Sequence, residues 1–318
     1  MNIIKSENYS IYIGDDSLTK LDVSNYSNIA ILVDENTKKY CLPILTKKIK
    51  IPIIIEIKSG EENKSIETCN FIWDELTEKG FDRKSLLINL GGGVISDIGG
   101  FCAATFKRGI DFIHIPTTLL SMVDASIGGK TGINFKALKN QIGLLTNPKS
   151  VIIYPHFLHT LEEDQIKSGF AEIVKHSLIY DKTLWEKIYS NSFIDINWDE
   201  VILSSINIKN DIVKKDPLER GDRKKLNFGH TFGHAVESYY LEIGSPILHG
   251  EAVFIGMLFE IDLSPIPHEI KQQIKSYISS NFILPHKPRK LDLFQYLIHD
   301  KKNKEGKINF SLIEKISD

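Results

Sequence analysis

The chain has 318 residues, of which 42% are hydrophobic and 25% are charged, and its formal net charge is −2. This length predicts about two domains, and the hydrophobic content is enough for a sizeable core. The balanced charge excludes general basicity, so we expect neither a nucleic-acid partner nor an anionic membrane surface.

The amino-terminal residues contain no apolar segment typical of a secretory signal, and no apolar run reaches the ~18 residues of a membrane helix. The three cysteines are odd in number and widely spaced, which argues against a disulfide framework and against a cysteine-built zinc site. Such thiols suit a reducing compartment, and we therefore expect a cytoplasmic protein.

Short apolar strands alternate with a helical pattern in the first half of the chain. Continuous apolar strands interleaved with helices are typical of a parallel sheet covered on both faces, in which ligands bind at the carboxyl ends of the strands. Asp34, Gly91-Gly92-Gly93 and Pro116-Thr117-Thr118 follow such strands. The predicted elements are the strands Ile29–Val33, Ile51–Ile57, Ser85–Leu90, Ile110–Ile115 and Val151–Tyr154 and the helix Ile66–Leu76.

The strand signal fades after Leu161, and helical spacing replaces it. We therefore predict an α/β domain with a Rossmann-like parallel sheet over residues 1–161 and a mostly α-helical domain over residues 162–318. The segment Pro265–Leu291 has no clear pattern. The predicted helices are Ile166–Tyr180, Trp198–Lys214, His230–Leu241 and Glu251–Leu263.

A glycine-rich segment, Gly91–Asp97, follows a predicted strand and opens a predicted helix. Glycines let the backbone approach a phosphate, and a helix N-terminus adds free N–H groups and the positive end of the helix dipole, so a pyrophosphate would fit here. The segment is not G-x-G-x-x-G, so the usual dinucleotide motif is absent. A simple tight turn is the alternative that the segment alone leaves open.

A second glycine-rich region surrounds Gly128–Gly132, which looks like part of a triphosphate-binding loop. It lacks the preceding glycine spacing and does not follow a strand directly, so we reject a nucleotide triphosphatase. What remains is a predicted flexible loop that presents Lys130 near Asn140 and Arg108, which suits an anionic group on a substrate. A surface turn with a solvated lysine is the alternative.

Two histidine-containing patterns mark the second half. Glu172, Lys175 and His176 share one helix face, although this spacing alone favours a surface ion pair. His230 and His234 are four residues apart, so their imidazoles also share a face, and a further His-Gly-Glu sequence begins at His249. A lone histidine is more often a core or surface residue than a ligand. Several histidines with an acid, and without cysteine, favour zinc or a similar divalent ion.

Taken together, the linked motifs resemble those of the 3-dehydroquinate synthases, over nearly the whole chain from about Asp34 to Lys302. The resemblance implies an NAD-binding α/β domain and a helical, zinc-bearing domain, with Co²⁺ possible in place of Zn²⁺. The motifs that carry it are Gly91–Asp97, Phe106–Gly109, Pro116–Leu120, Gly128–Gly132, Gly169–Lys175, Leu226–Ala235 and His249–Val253.

The resemblance also assigns site residues by position. The implied metal ligands are Glu172, His230 and His249. The implied catalytic residues are His234, Lys175, Lys130 and Asp124, and the implied substrate-binding residues are Arg108, Asn140, Lys209, Arg223, Asn227, Lys301 and Lys302. The implied NAD contacts are Asp34, Asn36, Glu61, Lys64, Gly92, Asp97, Thr117, Thr118, Lys139 and Thr160.

The reaction that the resemblance implies converts 3-deoxy-D-arabino-heptulosonate 7-phosphate to 3-dehydroquinate and phosphate, in aromatic amino-acid biosynthesis. It proceeds through transient NAD-dependent oxidation, β-elimination of phosphate, reduction and intramolecular aldol closure. The partner is therefore a small anionic sugar phosphate, and a homodimer is implied, with Arg108 near the phosphate across its interface. Only one of Lys301 and Lys302 would reach that site.

The sequence departs from the family pattern in two places. Ser96 stands where the family usually has glycine, and the helical region from about Ser264 to Leu291 is shorter than usual. Three rival functions remain: a related cyclase of the inosose or valiolone type, a metal-dependent polyol dehydrogenase, and an inactive metal- or NAD-binding module. The joint presence of Lys209, Arg223 and His234 favours the dehydroquinate reaction.

Overall fold

A computed structural model describes residues 1–47, 49, 52–136, 138–298 and 308–317. Lys301 and Lys302 lie outside these residues. The chain divides into two compact units, Met1–Glu162 and Glu163–Asp318. Among the described helices, none is long and apolar enough to cross a membrane.

The first unit is built on a sheet whose described strands follow the order β1-β2-β9-β6-β5-β3-β4, and a separate two-stranded sheet joins β7 to β8. All neighbours in the larger sheet are parallel except β1 and β2. The strands are β1 (Asn2–Lys5), β2 (Ser10–Ile13), β3 (Ile29–Asp34), β4 (Ile53–Ile57), β5 (Leu86–Gly91), β6 (Asp111–Pro116), β7 (Lys130–Phe135), β8 (Leu138–Leu145) and β9 (Ser150–Ile153).

Helices pack on this sheet through the apolar side chains that the pattern predicted to be buried. Leu32 of β3 and Leu87 of β5 belong to one buried cluster with Cys69 and Ile72 from the helix after β4 and Ile98 from the helix after β5. The predicted strands and helix of this unit are thereby confirmed, with ends that differ by one or two residues, although the predicted start at Ile51 lies outside the described residues. Its helices are α1 (Glu35–Tyr40), α2 (Leu42–Thr46), α3 (Ile66–Glu78) and α4 (Gly93–Thr105).

The region predicted as a flexible loop around Lys130 is instead the hairpin of β7 and β8, so that prediction is wrong. Lys130 is the first residue of β7 and pairs with Leu145. The two strands approach closely because glycines face each other: a Cβ on Gly132 would lie 2.5 Å from the Ile142 carbonyl oxygen. Ile133 is buried, but burial does not alternate along β7 or β8, so the usual two-residue pattern of a strand is missing here.

The second unit is helical in all its described regular elements longer than one turn, as predicted. The fold class expected from the sequence is confirmed: a mostly parallel sheet with helices, followed by a helical unit. The unpatterned segment after Pro265 contains α10, which buries only Ile274, Tyr277 and Ile278 and so gives a weak periodic signal. The helices are α5 (Glu163–Tyr180), α6 (Lys182–Ser190), α7 (Trp198–Lys215), α8 (His230–Glu242), α9 (His249–Leu263), α10 (His268–Asn281) and α11 (Lys290–Leu297).

Glycines allow the backbones of α5, α8 and α9 to pack in direct contact. A Cβ on Gly256 of α9 would lie 1.9 Å from the carbonyl oxygen of Gly229, which precedes α8. A Cβ on Gly250 would lie 2.1 Å from the carbonyl oxygen of Ser168 on α5. The three helices that carry the implied metal ligands are therefore held together by backbone contact.

Candidate functional site

In the first unit, polar and glycine clusters lie at the carboxyl ends of the neighbouring strands β3, β5 and β6. Asp34 ends β3, and its Oδ1 accepts a hydrogen bond of 2.8 Å from the backbone N–H of Thr37, which caps α1. Asn36 is exposed on the first turn of that helix. At the end of β6, the N–H of Thr117 donates to the Gly91 carbonyl oxygen at 3.0 Å. The contact between Thr117 and Gly91 joins the ends of β5 and β6.

The glycine-rich segment after β5 is a helix N-terminus, because α4 begins at Gly93 and Gly92 caps it with extended backbone. A Cβ on Gly92 would lie 3.1 Å from Cγ2 of Thr118, so only glycine leaves the backbone open on this side. The N–H groups of the first turn of a helix have no partner within the helix, and here no side chain covers the backbone at Gly92. These N–H groups can therefore bind a phosphate group.

A buried ammonium organises the polar side chains beside this helix. Lys64 is 4% exposed, makes an ion pair with Asp97 on α4, and donates to Oδ1 of Asn140 at 2.6 Å. Burial raises the pKa of the Asp97 carboxyl, and the charge of Lys64 opposes that shift. Glu61 lies nearby, because its Oε1 accepts a hydrogen bond of 2.9 Å from Asn134. Asn140, assigned to substrate by resemblance, is therefore held by residues assigned to NAD.

The other predicted residues of the first unit lie on four further segments. Asp124 is half-buried in the helical turn Ser121–Ala125, and Lys130 and Lys139 are exposed on the hairpin. Thr160 donates its hydroxyl hydrogen to the Phe157 carbonyl oxygen at 2.7 Å. Arg108, with φ of 68°, lines a surface groove that Arg83 and Lys149 also line.

In the second unit, Glu172, His230 and His249 come together from α5, α8 and α9. One ligand atom of each lies within 4.8 Å of the others, which is a spacing suited to a single metal ion. Oε1 of Glu172 is 3.3 Å from Nε2 of His230 and 3.4 Å from Nε2 of His249. Both histidines are the first residues of their helices, so the close helix packing fixes their positions.

The surface ion pair that spacing alone favoured for Glu172 and Lys175 is wrong. The two side chains are 0% and 1% exposed and form a buried ion pair. Burial would raise the pKa of Glu172, but the charge of Lys175 and the contact with His230 hold it well below its usual range. Burial and the charge of Lys175 lower the pKa of His230 to about 3, so this imidazole is neutral. Its Nδ1 lies 3.2 Å from the Phe228 carbonyl oxygen, to which Nδ1–H donates, which leaves Nε2 as the ligand atom.

Among the described residues, His234 is not part of the three-ligand group. Its ring lies 5.6 Å from that of His230, measured between centroids, and perpendicular to it. Lys209 on α7 and Arg223 before α8 are both buried, at 7% and 2% exposure. Nδ2 of Asn227 donates to Oε1 of Glu219 at 2.7 Å. The second unit therefore contains two buried cations, Lys209 and Arg223, besides the Lys175 that pairs with Glu172.

Comparison with known proteins identifies the family from both units. The family description "3-dehydroquinate synthase N-terminal" matches residues 54–168, and "3-dehydroquinate synthase C-terminal" matches residues 169–303. The 3-dehydroquinate synthase of Parabacteroides distasonis is 43% identical over 305 residues, covering 92% of this chain and 86% of the relative. That of Nitratiruptor sp. is 41% identical and covers 99% and 91%.

The chain belongs to the 3-dehydroquinate synthase family. This membership confirms the resemblance drawn from the linked motifs. A solved structure of 2-epi-5-epi-valiolone synthase from Streptomyces hygroscopicus subsp. jinggangensis 5008, with NAD⁺ and Zn²⁺ bound, has a TM-score of 0.87 and 24% identity, covering 100% of this chain and 93% of that chain. At this identity the likeness shows the shared fold alone.

The departure from the 3-dehydroquinate synthase pattern at Ser96 is accommodated by a polar contact. Ser96 is buried, and its hydroxyl oxygen lies 3.3 Å from that of Ser121. The Ser96 hydroxyl therefore has a hydrogen-bond partner in Ser121. The segment before Asp97 remains helical although serine replaces the usual glycine.

Two buried carboxylates near the histidine cluster escaped the sequence reasoning. Oε1 of Glu237 lies 3.4 Å from Nδ1 of His249. Glu260, 0% exposed, accepts hydrogen bonds at its Oε2 from the N–H of Gly229 at 2.6 Å and at its Oε1 from that of Phe232 at 3.4 Å, at the start of α8. Glu237 follows His230 by two helical turns, so its position on the ligand face was a usable signal. Nothing in the sequence marks Glu260.

Proposed function

We propose that the chain is a 3-dehydroquinate synthase, a phosphorus–oxygen lyase that converts 3-deoxy-D-arabino-heptulosonate 7-phosphate to 3-dehydroquinate and phosphate. The observation that carries the proposal is the group of Glu172, His230 and His249, in which Glu172 is fully buried beside Lys175, in a chain of this family. We assign NAD binding to the unit before Glu163 and metal and substrate binding to the unit that begins there.

The residues present fit both cofactors. Both carboxylate oxygens of Glu172 are buried, and the Nε2 atoms of His230 and His249 lie 3.3 and 3.4 Å from its Oε1, a donor set that suits Zn²⁺ or Co²⁺. The helix N-terminus at Gly92 suits the pyrophosphate of NAD, and Lys64 and Asp97 suit its polar groups. When bound, NAD supplies reversible hydride transfer and the metal supplies Lewis-acid polarisation of substrate oxygen.

The chain's own residues then bind the substrate and move protons. His234 takes the proton of the hydroxyl that is oxidised and later returns it, because its ring lies beside the ligand His230 without belonging to the ligand group. Lys175 holds the Glu172 carboxylate in its charged, ligating form. Asp124 and Lys130 complete the proposed catalytic residues.

Cationic and amide groups bind the two anionic ends of the substrate. Lys209 and Arg223 hold the carboxylate, since a buried cation favours an anionic partner. The phosphate is held by Lys130, Asn140, Asn227 and Arg108. Because the formal net charge is only −2, we attribute these cations to anion binding rather than to general basicity.

Assembly, location and pathway are further parts of the proposal. We propose a homodimer in which Arg108 acts across the interface, because it lies exposed on the surface and not in a buried site. We propose a cytoplasmic enzyme of the shikimate pathway, which leads to chorismate and the aromatic amino acids, and the buried, unpaired state of all three cysteines fits a reducing compartment.

Substrate choice distinguishes this function from the related cyclases. The wild-type enzyme is expected to turn over the heptulosonate phosphate at least about tenfold better, by kcat/KM, than glucose 6-phosphate or sedoheptulose 7-phosphate, because a charge-assisted hydrogen bond contributes ~1.5–3 kcal/mol. Phosphate release from each substrate, with NAD and divalent metal supplied, measures the preference.

The carboxylate contact can be tested separately. Lys209→Met should reduce the preference, whereas Lys214→Met, an exposed lysine on the same helix, should retain it. Equal or better turnover of a sugar phosphate without a carboxylate by the wild-type enzyme would contradict the assignment and favour an inosose or valiolone cyclase.

A further inference from the structure

We propose that Glu237 is a positioning residue of the metal site, which acts through His249 by orienting its imidazole and increasing its donor strength. The inference rests on the proposed function, because it takes His249 as a metal ligand. Glu237 itself would touch neither the metal nor the substrate.

The imidazole of His249 lies between two carboxylates. Its Nε2 is 3.4 Å from Oε1 of Glu172, on the side of the ligand group, and its Nδ1 is 3.4 Å from Oε1 of Glu237. A proton on Nδ1 directed at Glu237 places the lone pair on Nε2, where the metal would bind. The opposite tautomer would direct an N–H at the metal position, so Glu237 selects the ligating form.

The burial of Glu237 strengthens its preference for the His249 tautomer that carries the proton on Nδ1. Its side chain is 8% exposed, and a buried carboxylate is costly unless a donor or a cation compensates its charge. Nδ1–H of His249 is such a donor.

The two histidines of the site are oriented differently. His230 donates from Nδ1 to a backbone carbonyl oxygen, that of Phe228, whereas His249 faces an anionic side chain. Helix α8 therefore supplies a ligand with its first residue and the orienting acid for the ligand on α9 with a residue two turns later. Carboxylate–histidine–metal arrangements of this kind raise ligand basicity, and losing the outer partner typically weakens metal binding ~10–100-fold.

The test measures metal affinity by competition with a chelator on purified protein stripped of metal. Glu237→Ala is expected to weaken Zn²⁺ binding ~10–100-fold, and Glu237→Gln to fall between Ala and wild type, because the amide oxygen still accepts from Nδ1–H but carries no charge. The Co²⁺-loaded variants should show an altered visible absorption, since the field of the His249 ligand changes.

Glu242→Gln is the matched control, because Glu242 lies on the same helix, is exposed and accepts a hydrogen bond of 2.6 Å from the Tyr296 hydroxyl. It should bind Zn²⁺ as wild type does. Thermal unfolding of the metal-free Glu237→Gln protein should match that of wild type, which separates ligand positioning from general stability.

Two outcomes separate the inference from the function on which it rests. If His249→Ala abolishes tight metal binding while both Glu237 variants bind as tightly as wild type, the positioning role is wrong and the ligand set stands. If His249→Ala itself keeps wild-type affinity, the proposed metal site is wrong, and the role of Glu237 falls with it.

Discussion

His234→Ala is expected to keep its metal and lose turnover by roughly 10²–10⁴-fold, the usual cost of removing an acid–base group. His230→Ala is expected to lose tight metal binding and activity together. Histidines at i, i+4 on a helix often ligate one metal jointly, so spacing alone predicts that both bind. The geometry separates them, because His230 Nε2 faces Glu172 at 3.3 Å and His234 is outside the described ligand group.

Metal content per subunit after dialysis, together with the turnover number, measures this difference for His230→Ala, His234→Ala and His249→Ala. His249→Ala should behave as His230→Ala does. Loss of metal from His234→Ala, with retention in His249→Ala, would show that the third ligand is wrongly assigned.

Gly256→Ala is expected to destabilise the protein by about 2 kcal/mol or more and to weaken metal binding. The added Cβ would lie 1.9 Å from the Gly229 carbonyl oxygen and 2.7 Å from the Gly233 nitrogen, both backbone atoms that cannot rotate away. Overpacking typically costs ~1–3 kcal/mol and occasionally more, which outweighs the ~1 kcal/mol that alanine gains over glycine in a helix. Because Gly229 directly precedes His230, the displacement reaches the ligand group.

Denaturant unfolding and Zn²⁺ affinity are the two measurements for this variant. Ser279→Ala is the control, because Ser279 lies at an exposed position of α10. Its stability should change by less than about 0.5 kcal/mol. A Gly256→Ala protein as stable as wild type, with unchanged affinity, would mean that α8 and α9 separate without cost.

The sequence predicted the sheet of the first unit because its central strands are mostly apolar and are followed by glycine or by polar residues. Leu86–Gly91 is buried throughout and has Asn89 as its one polar residue, and such nearly continuous apolar runs are typical of parallel strands. The hairpin was missed because β8 is exposed along its whole length and so gives no alternation. Its presence depends on the pairing of Gly132 with Gly143, a contact between distant backbone segments.

Spacing placed Glu172 and Lys175 on one face of α5 but could not tell how deeply they are buried. Burial depends on α9 covering that face, which requires glycine at Gly250, and tertiary packing of this kind is outside any local pattern. Glu260 was missed for the same reason, because it acts on a neighbouring helix, whereas the helical spacing of Glu237 from His230 was a usable signal. The resemblance supplied the ligand assignment, and the structure supplied the outer contacts that no motif expresses.

The most direct test of the proposed function follows phosphate release and NADH absorbance together, with the heptulosonate phosphate, NAD and a divalent metal present. A hydride that leaves and returns within one turnover makes NAD catalytic, so we expect many equivalents of phosphate per NAD and no net NADH. Stoichiometric accumulation of free NADH without phosphate release would contradict the cyclase function and indicate a polyol dehydrogenase instead.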